Sequence, residues 1–174
     1  MNEFGVITET PGDLTAHTWN DLVSFYVGCS FGFEGKLVQA GIPLKNITEK
    51  HGDGASMFET NLHCISVGPF ASPLIVSMRA IPKDLVEKTL IITAAFEGLH
   101  GAPIHIGDPA VIGIYDLYNT EFGEPSDIGD LIPMFWACGR SGSIALRAAS
   151  MFLCNKLCTL QSSSFWIDIA IRKY

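Results

Sequence analysis

The chain has 174 residues, enough for one domain with a buried core, and its 48% hydrophobic against 17% charged residues argue against a disordered protein. Its net charge is −7, from 18 acidic and 11 basic residues, and the basic residues do not cluster, which argues against nucleic acid and favours a small-molecule ligand. No apolar run reaches the roughly 18–20 residues of a membrane span, and we expect neither a membrane span nor a signal or transit peptide.

Five cysteines at scattered positions, an odd number, favour a reducing compartment over a disulfide framework. Cys154 and Cys158 are spaced so that one helix face could hold a metal with both, but no second pair completes a set of four ligands. The cysteines therefore give little indication of a structural metal site.

The first predicted element is an amphipathic helix. Residues 18–21 have the pattern of a helix start, and Gly28 would end the helix. The apolar residues between them recur at helical spacing, at Trp19, Leu22, Val23 and Tyr26. A second, short helix over residues 37–40 would end at Gly41, because the following Pro43 prevents its continuation.

Later in the chain, short apolar runs alternate with longer helical patterns. Helices are predicted over residues 83–96, after Pro82, and over residues 143–158, and a polar loop over residues 45–57. Runs rich in Ile and Val or bounded by Gly and Pro predict strands over 62–67, 74–78, 111–115, 133–137 and 165–171. This alternation favours an α/β sheet that is covered on its faces and binds ligands at its strand ends.

Residues 100–109, HGAPIHIGDP, combine turn-forming residues with three side chains that can do chemistry. The glycines and prolines predict a rigid turn, in which Asp108 could bond to its own backbone. An extended backbone over residues 103–106 would point His105 away from the neighbouring isoleucines, so that His105 and Asp108 could reach one cavity. His100, His105 and Asp108 are candidates for an acid–base centre, and less readily for a metal site, because their spacing matches no zinc pattern.

Residues 28–34, GCSFGFE, place a thiol and a carboxylate between aromatic side chains. Phe31 and Phe33 could shield Glu34 from water, which would favour the protonated carboxyl and let it act as an acid near neutrality. The alternative is structural, with Cys29 as a small core residue and Glu34 at the start of the next helix.

Arg79 and Asp116 each end an apolar run, LIVSM and VIGIY respectively. A charge beside a buried strand needs a partner. Arg79 could therefore form an internal salt bridge or bind a substrate carboxylate, and Asp116 could contact substrate, cap a turn or join a structural ion pair.

Four longer stretches carry a family resemblance. In chain order they are GCSFGFEGKLVQAGIP, GPFASPLIVSMRAIP, HGAPIHIGDPAVIGIYDL and FWACG. Together they resemble the D-glutamate cyclase family, whose bacterial members are described as hydro-lyases. The stretch IPKDLVEKTLIITAAFEGLHGAPIHIGDP resembles the animal, mitochondrial branch most, and the resemblance covers residues 19–139.

The resemblance implies a lyase of D-amino acid metabolism that converts D-glutamate to 5-oxo-D-proline with loss of water. It implies an α/β fold in which helices sandwich a mixed sheet, with a smaller α+β portion. The implied partner is a small-molecule substrate, not nucleic acid or a membrane, and no oligomeric state is implied. The implied location is the mitochondrial matrix, with the cytoplasm as the alternative because a transit peptide is not evident.

The sequence departs from the family pattern in two places. Residues 120–124 keep the acidic positions of a Pro-Asp-x-Gly-Asp stretch but not its proline, and CGRSGS stands where the family has CGVTPQ. Residues 1–139 are therefore predicted to be the central part of a cyclase-like domain, with sequence expected before it. Residues 140–174 are predicted to be a divergent segment, such as the tail of a splice variant. This leaves a truncated chain that binds a small acid or a partner without turnover as an alternative to the enzyme.

Lactam closure needs an activated carboxyl group and a base for the amine. In the enzyme hypothesis, Arg79 pairs with the substrate α-carboxylate and Glu34 protonates the departing oxygen. His105 is the base, oriented by Asp108. Asp116 is a further substrate-binding candidate.

Three alternatives stay open within this hypothesis. His100 could replace His105 as the base, and Cys29 could open a covalent route. A divalent metal on His100, His105 and Asp108 is the third, and would fit a metal-binding hydro-lyase of another substrate; no other cofactor is indicated.

Overall fold

The computed structural model describes residues 22–28, 30–44, 55–153, 157–161 and 166–172. The chain forms two compact units. One comprises residues 28–63 and 73–138, and the other comprises residues 1–27, 64–72 and 139–174. No helix among the described residues has the length and apolar character to cross a membrane.

Strands and helices are mixed along the chain, which makes it a mixed α/β protein. In chain order they are β1 (Leu22–Gly28), α1 (Phe31–Gln39), β2 (Met57–His63), β3 (Pro73–Ile81), α2 (Val86–Ala94), β4 (His105–Ile106), β5 (Ile132–Ala137), α3 (Arg140–Leu153), β6 (Leu157–Gln161) and β7 (Trp166–Arg172). Short 3-10 turns lie at Lys83–Leu85, Glu97–Leu99 and Pro109–Ile112.

The larger unit is built on a four-stranded antiparallel sheet in the order β2-β3-β5-β4. Because side chains alternate between the two faces of a strand, the register assigns each residue to a face. Ser77 pairs with Trp136 and Arg79 with Met134, so these four residues define one face, called here the helix face.

Each face of the sheet carries its own hydrophobic cluster. On the helix face, residues from α1 and the chain after it pack with strand residues, in a cluster of Phe33, Leu37, Ile42, Leu44, Ile81, Met134 and Trp136. On the opposite face the cluster comprises Phe58, Val76, Met78, Ile112, Ile114 and Phe135. The strands β3 and β5 are buried on both faces, which explains their continuous apolar runs.

Helix α1 ends as its sequence predicts. Gly41 has φ +80°, and Ile42 donates from its backbone N–H to the Leu37 carbonyl. A left-handed residue after the last turn closes a helix, and glycine adopts that conformation without a Cβ penalty. The predicted C-terminal glycine is confirmed, although the helix begins earlier, at Phe31.

The predicted first helix is wrong over residues 22–28, which form strand β1 beside β7 in the second unit. Its sequence, LVSFYVG, is rich in β-branched and aromatic residues, so the same apolar spacing suits a strand once a partner strand is present. Trp19 and the remainder of the predicted helix lie outside the described residues.

The predicted strand over 111–115 is also wrong. Pro109 starts a 3-10 turn, the Asp108 side chain accepts a hydrogen bond from the Ala110 N–H, and Gly113 ends the turn at φ +83°. These local features override the apolar run, whose isoleucines are buried from an irregular backbone instead.

Other elements have the predicted type with shifted ends. Strands β3 and β5 agree with the predictions for 74–78 and 133–137, and β7 with that for 165–171. The predicted strand at 62–67 coincides with β2 only at residues 62 and 63 and is otherwise wrong, because β2 lies over Met57–His63. The predicted helix at 83–96 begins as a 3-10 turn before α2. Strand β6 lies where the helix predicted over 143–158 was expected to end.

Candidate active site

The helix face holds a buried ion pair between α1 and β3. Nη2 of Arg79 lies 2.7 Å from Oε1 of Glu34, and Nε of Arg79 donates to the same oxygen at 3.0 Å. The Arg79 side chain is 1% exposed and that of Glu34 is 9% exposed. Two residues separated by 45 positions are thus brought together because α1 packs on the strand that carries Arg79.

Two serine hydroxyls extend this polar cluster. Nη1 of Arg79 donates to Oγ of Ser77 at 2.7 Å, and Oγ of Ser77 lies 2.9 Å from Oγ of Ser30. Ser30 occupies the N-cap position of α1 but makes no side-chain capping bond there. Serine at this position normally satisfies a backbone N–H of the first turn, so its hydroxyl is diverted here from the helix to the cluster.

Two aromatic rings flank the guanidinium. Cζ of Arg79 lies 5.5 Å from the ring centroid of Phe33 and 5.7 Å from that of Trp136, and the two rings are 5.3 Å apart. A cation over an aromatic face is attracted by the ring quadrupole, more strongly when water is excluded. Phe33 therefore shields the charged cluster, as its sequence position suggests, whereas the side chain of Phe31 lies outside the described ones.

This arrangement is a poor way to stabilise a fold. Removing two charges from water costs free energy that their mutual attraction repays only with good geometry and further hydrogen bonds. Replacing a buried ion pair by apolar side chains is often neutral or stabilising. A buried charged cluster with hydroxyl partners is therefore a candidate functional site.

The turn that carries His100 adjoins the same side of the sheet. Phe96, at the start of this turn, packs against the helix-face cluster, and a Cβ on Gly32 would meet the Leu99 side chain at 2.6 Å. His100 has φ +81°, and its Nε2 atom is buried. Among described residues other than glycine, it alone has a positive φ. A histidine held in this conformation is a second candidate for the site.

His105 and Asp108 lie elsewhere. His105 pairs with Phe135, which belongs to the opposite face, and their ring centroids are 5.9 Å apart. The sheet therefore separates His105 from Glu34 and Arg79. The single site that the sequence hypothesis forms from these three residues is not assembled.

The predicted orienting role of Asp108 also takes a different form. Nε2 of His105 lies 2.7 Å from the backbone carbonyl oxygen of Asp108, while the Asp108 carboxylate accepts from the Ala110 N–H at 3.0 Å. The backbone, not the carboxylate, holds the imidazole, because the side chain is used to cap the turn.

Asp116 has a similar turn geometry. It is exposed, and its carboxylate accepts from the Tyr118 N–H at 2.8 Å. Cys29 lies outside the described residues. Within the part of the chain that the structure describes, no three or more His, Cys, Asp or Glu residues group to hold a metal ion, so the possible set of His100, His105 and Asp108 is not brought together there.

Sequence reasoning did not identify Ser30, Ser77 or Trp136 as site residues. The alternation of side chains along β3 could have identified Ser77, because it lies two positions before Arg79 and therefore shares its face. The sequence around Trp136 predicts only a core residue, because it does not indicate which strand pairs with β5 at this position.

Comparison with known proteins places this chain in a family. Three relatives carry the name "Putative hydro-lyase", from Syntrophobacter fumaroxidans (45% identical over 86% of this chain and 57% of the relative), Saccharopolyspora erythraea (46%, over 78% and 53%) and Bacillus subtilis (43%, over 78% and 52%). The chain therefore spans about half the length of the curated relatives it matches. The family model for D-glutamate cyclase matches residues 23–160, a range that includes the whole polar cluster. The chain belongs to the D-glutamate cyclase family.

Proposed function

We propose that the chain is a hydro-lyase that closes D-glutamate to 5-oxo-D-proline and water at the Glu34–Arg79 pair. Membership of the D-glutamate cyclase family and the hydro-lyase names of the relatives support this reaction class. The observation that carries the proposal is the burial of one carboxylate and one guanidinium, 2.7 Å apart, beneath aromatic side chains.

The pair is complementary to an amino acid zwitterion. The substrate α-carboxylate replaces Glu34 as the partner of the Arg79 guanidinium, and the substrate ammonium pairs with the released Glu34 carboxylate. The exchange keeps each buried charge compensated, which a buried site requires. Arginine suits this role because its planar fork binds a carboxylate through two parallel hydrogen bonds.

Glu34 moves the first of the two protons that the reaction must transfer. Its carboxylate takes one proton from the ammonium and delivers it to the γ-carboxylate, which removes the charge that would repel the amine. The amine nitrogen attacks the γ-carboxyl carbon and forms the C–N bond. A second nitrogen proton passes through His100 to the departing oxygen, the C–O bond breaks, and water leaves. Two protons leave nitrogen and two arrive on oxygen, so Glu34 and His100 end as they began.

This assignment changes the role of Glu34 from the acid that protonates the departing oxygen to a carboxylate that carries a proton from the ammonium to the γ-carboxylate. The change follows from its contact with Arg79, because a substrate ammonium can take the place of the guanidinium that lies 2.7 Å from Oε1 of Glu34. His100 is the second proton carrier of the proposal, because its turn adjoins α1. Since both reacting groups belong to one molecule, the remaining task of the site is to hold a curled substrate.

A direct assay tests the proposal. Purified chain is incubated with D-glutamate or L-glutamate, with and without divalent cations, and 5-oxoproline is measured. We expect product from D-glutamate that disappears in Glu34→Gln and in Arg79→Lys. Glu59→Gln, which changes an exposed acid of β2, is the matched control and should keep full turnover.

The second candidate function is binding of a small acid without turnover. It is favoured by one fact, that the chain covers only 52–57% of the length of the three relatives. Saturable binding of D-glutamate by calorimetry, with no 5-oxoproline formed, would select this function and reject the enzyme. Absence of both binding and product would reject the site itself.

A further inference from the structure

One polar atom of the helix face lacks a hydrogen-bond partner in the part of the chain that the structure describes. It is Nε1 of Trp136, which is buried, in a residue that is 0% exposed. The indole N–H can only donate, so no change of tautomer or rotation of a hydroxyl can satisfy it. Buried donors are paired in the great majority of cases, and each exception asks for an explanation.

The surroundings of this indole suggest an explanation for its unpaired N–H. Its ring is packed against Phe33 and lies 5.7 Å from Cζ of Arg79, and Ser77 is its partner in the β3–β5 register. Trp136 therefore lies next to the residue that binds carboxylate in the proposed function. Its side chain is fully buried within the helix-face cluster, so packing gives the N–H a set position before any ligand arrives.

The proposed reaction needs such a donor. When the amine attacks the γ-carboxyl carbon, negative charge develops on the remaining oxygen of the tetrahedral intermediate. Preorganised donors aimed at that oxygen accelerate acyl transfer, and they do so most in a site that excludes water. Arg79 is occupied by the α-carboxylate at that moment, so a different donor has to serve the reacting carbon.

We propose that the Nε1–H of Trp136 donates a hydrogen bond to the reacting carboxyl oxygen of the substrate and to the lactam oxygen of the product. This inference rests on the proposed function and adds a catalytic residue to it. It assigns to the site a ligand class of small amino acids that end in a side-chain carboxyl, together with their lactams.

Nitrogen-15 NMR of the labelled full chain tests the contact directly. The chain contains three tryptophans, and Trp136→Phe identifies the indole signal of residue 136 by its disappearance. Two probes are titrated, 5-oxo-D-proline and D-proline, which share the five-membered ring and the α-carboxylate. They differ in the lactam oxygen and in the ring nitrogen, which is a neutral amide in the first and a cationic amine in the second. We expect 5-oxo-D-proline to move the indole proton of Trp136 downfield, saturably, and D-proline to leave it in place.

Two results would overturn the inference. A signal that neither probe moves at saturating concentration means that the N–H meets no ligand, as it would if it only held a buried water. A signal that both probes move equally means that the indole meets the α-carboxylate and not the reacting oxygen. These readouts do not depend on turnover, so they remain valid if the chain binds without catalysis.

Kinetics supply the second measurement. In Trp136→Phe an aromatic ring is kept beside Arg79, while the N–H donor and one of the two fused rings of the indole are lost. We expect kcat for D-glutamate to fall about 10²–10³-fold, the usual effect of losing one such donor, with KM changed far less. Full kcat in this variant would remove Trp136 from the mechanism while leaving the cyclase proposal intact, whereas an inactive wild-type chain would defeat the cyclase proposal alone.

Discussion

Arg79 and His105 lie on opposite faces of one sheet. Arg79 pairs with Met134 and His105 with Phe135, and these consecutive residues of β5 point in opposite directions. The polar groups of the larger unit are thereby divided, with the charged pair covered by α1 and the imidazole held by the backbone of the turn after β4.

This separation predicts the effect of His105→Ala. The variant loses a hydrogen bond and a ring contact, so we expect the free energy of unfolding to fall by about 1 kcal/mol while turnover of D-glutamate is retained. His100→Ala, on the side of α1, should instead reduce turnover strongly. Denaturant unfolding and the 5-oxoproline assay check both. A hundredfold loss of kcat in His105→Ala would return that residue to the mechanism.

The ion pair predicts a split between stability and activity. Glu34→Gln leaves the Arg79 cation buried with a weaker partner, and breaking a buried pair in this way costs about 3–5 kcal/mol. The double variant Glu34→Leu with Arg79→Met removes both charges and should recover most of that stability. Neither variant should form 5-oxoproline.

Urea unfolding midpoints of Glu34→Leu, of Arg79→Met and of the double variant that combines them provide the test. If the double variant is as unstable as the sum of its parts, the cluster is a structural element and its charges are needed for the fold. If it is stable and still turns over D-glutamate, the pair has no part in the reaction.

The serine pair is predicted to hold Arg79 in position. Ser77→Ala removes the hydroxyl that accepts from Nη1, and losing a bond to a charged group costs about 1.5–3 kcal/mol. Because the guanidinium is then less constrained, KM for D-glutamate should rise more than kcat falls. Ser30→Ala removes the hydroxyl that contacts Ser77, which itself contacts Arg79. We therefore expect a smaller rise in KM from Ser30→Ala than from Ser77→Ala. Equal effects on kcat alone in both variants would contradict a positioning role.

Gly113 and Gly35 form a contrasting pair for stability. A Cβ on Gly113 would lie 3.0 Å from the backbone nitrogen of Asn61, in a backbone with φ +83°. Gly113→Ala should therefore destabilise the chain by about 1–3 kcal/mol. Gly35 lies inside α1 with nothing within 4 Å of an added Cβ, so Gly35→Ala should stabilise by about 0.4–1 kcal/mol. Thermal unfolding of both variants checks the opposite signs.

The covalent alternative is tested by Cys29→Ala. Proton transfer through Glu34 needs no thiol, so we expect turnover within twofold of the wild-type value. Alkylation of the wild-type chain with iodoacetamide in the presence of D-glutamate is the companion measurement. Loss of activity in both experiments would favour a thioester route over the carboxylate shuttle.

The sequence predicts the site more through its residue types than through its periodicity. The motif GCSFGFE and the charge that ends LIVSM identify Glu34 and Arg79 as candidates, because a charge beside apolar runs needs a partner. No sequence pattern indicates that Glu34 and Arg79 are in contact. That contact depends on α1 packing across β3, a tertiary arrangement that spans 45 positions.

The errors have a common physical origin. Residues 22–28 satisfy helical and strand spacing equally, and only the pairing of strands decides between them. The sequence hypothesis places His105 with Glu34, because the alternation of side chains within one strand defines two faces but does not indicate which face meets α1. The register β4–β5 settles this, and register is a property of the folded sheet.

The borders of the four-stranded sheet have a consequence for handling the protein. Strand β4 has two residues, and at β2 the backbone of Met57 is already bonded to residues 121 and 122, while Gly113 lies against Asn61. A long bare border would recruit strands from other molecules and promote aggregation. Here β4 is short and β2 is covered at Met57 and Asn61, so these borders offer fewer backbone groups to a second molecule in a concentrated sample than a long uncovered border would.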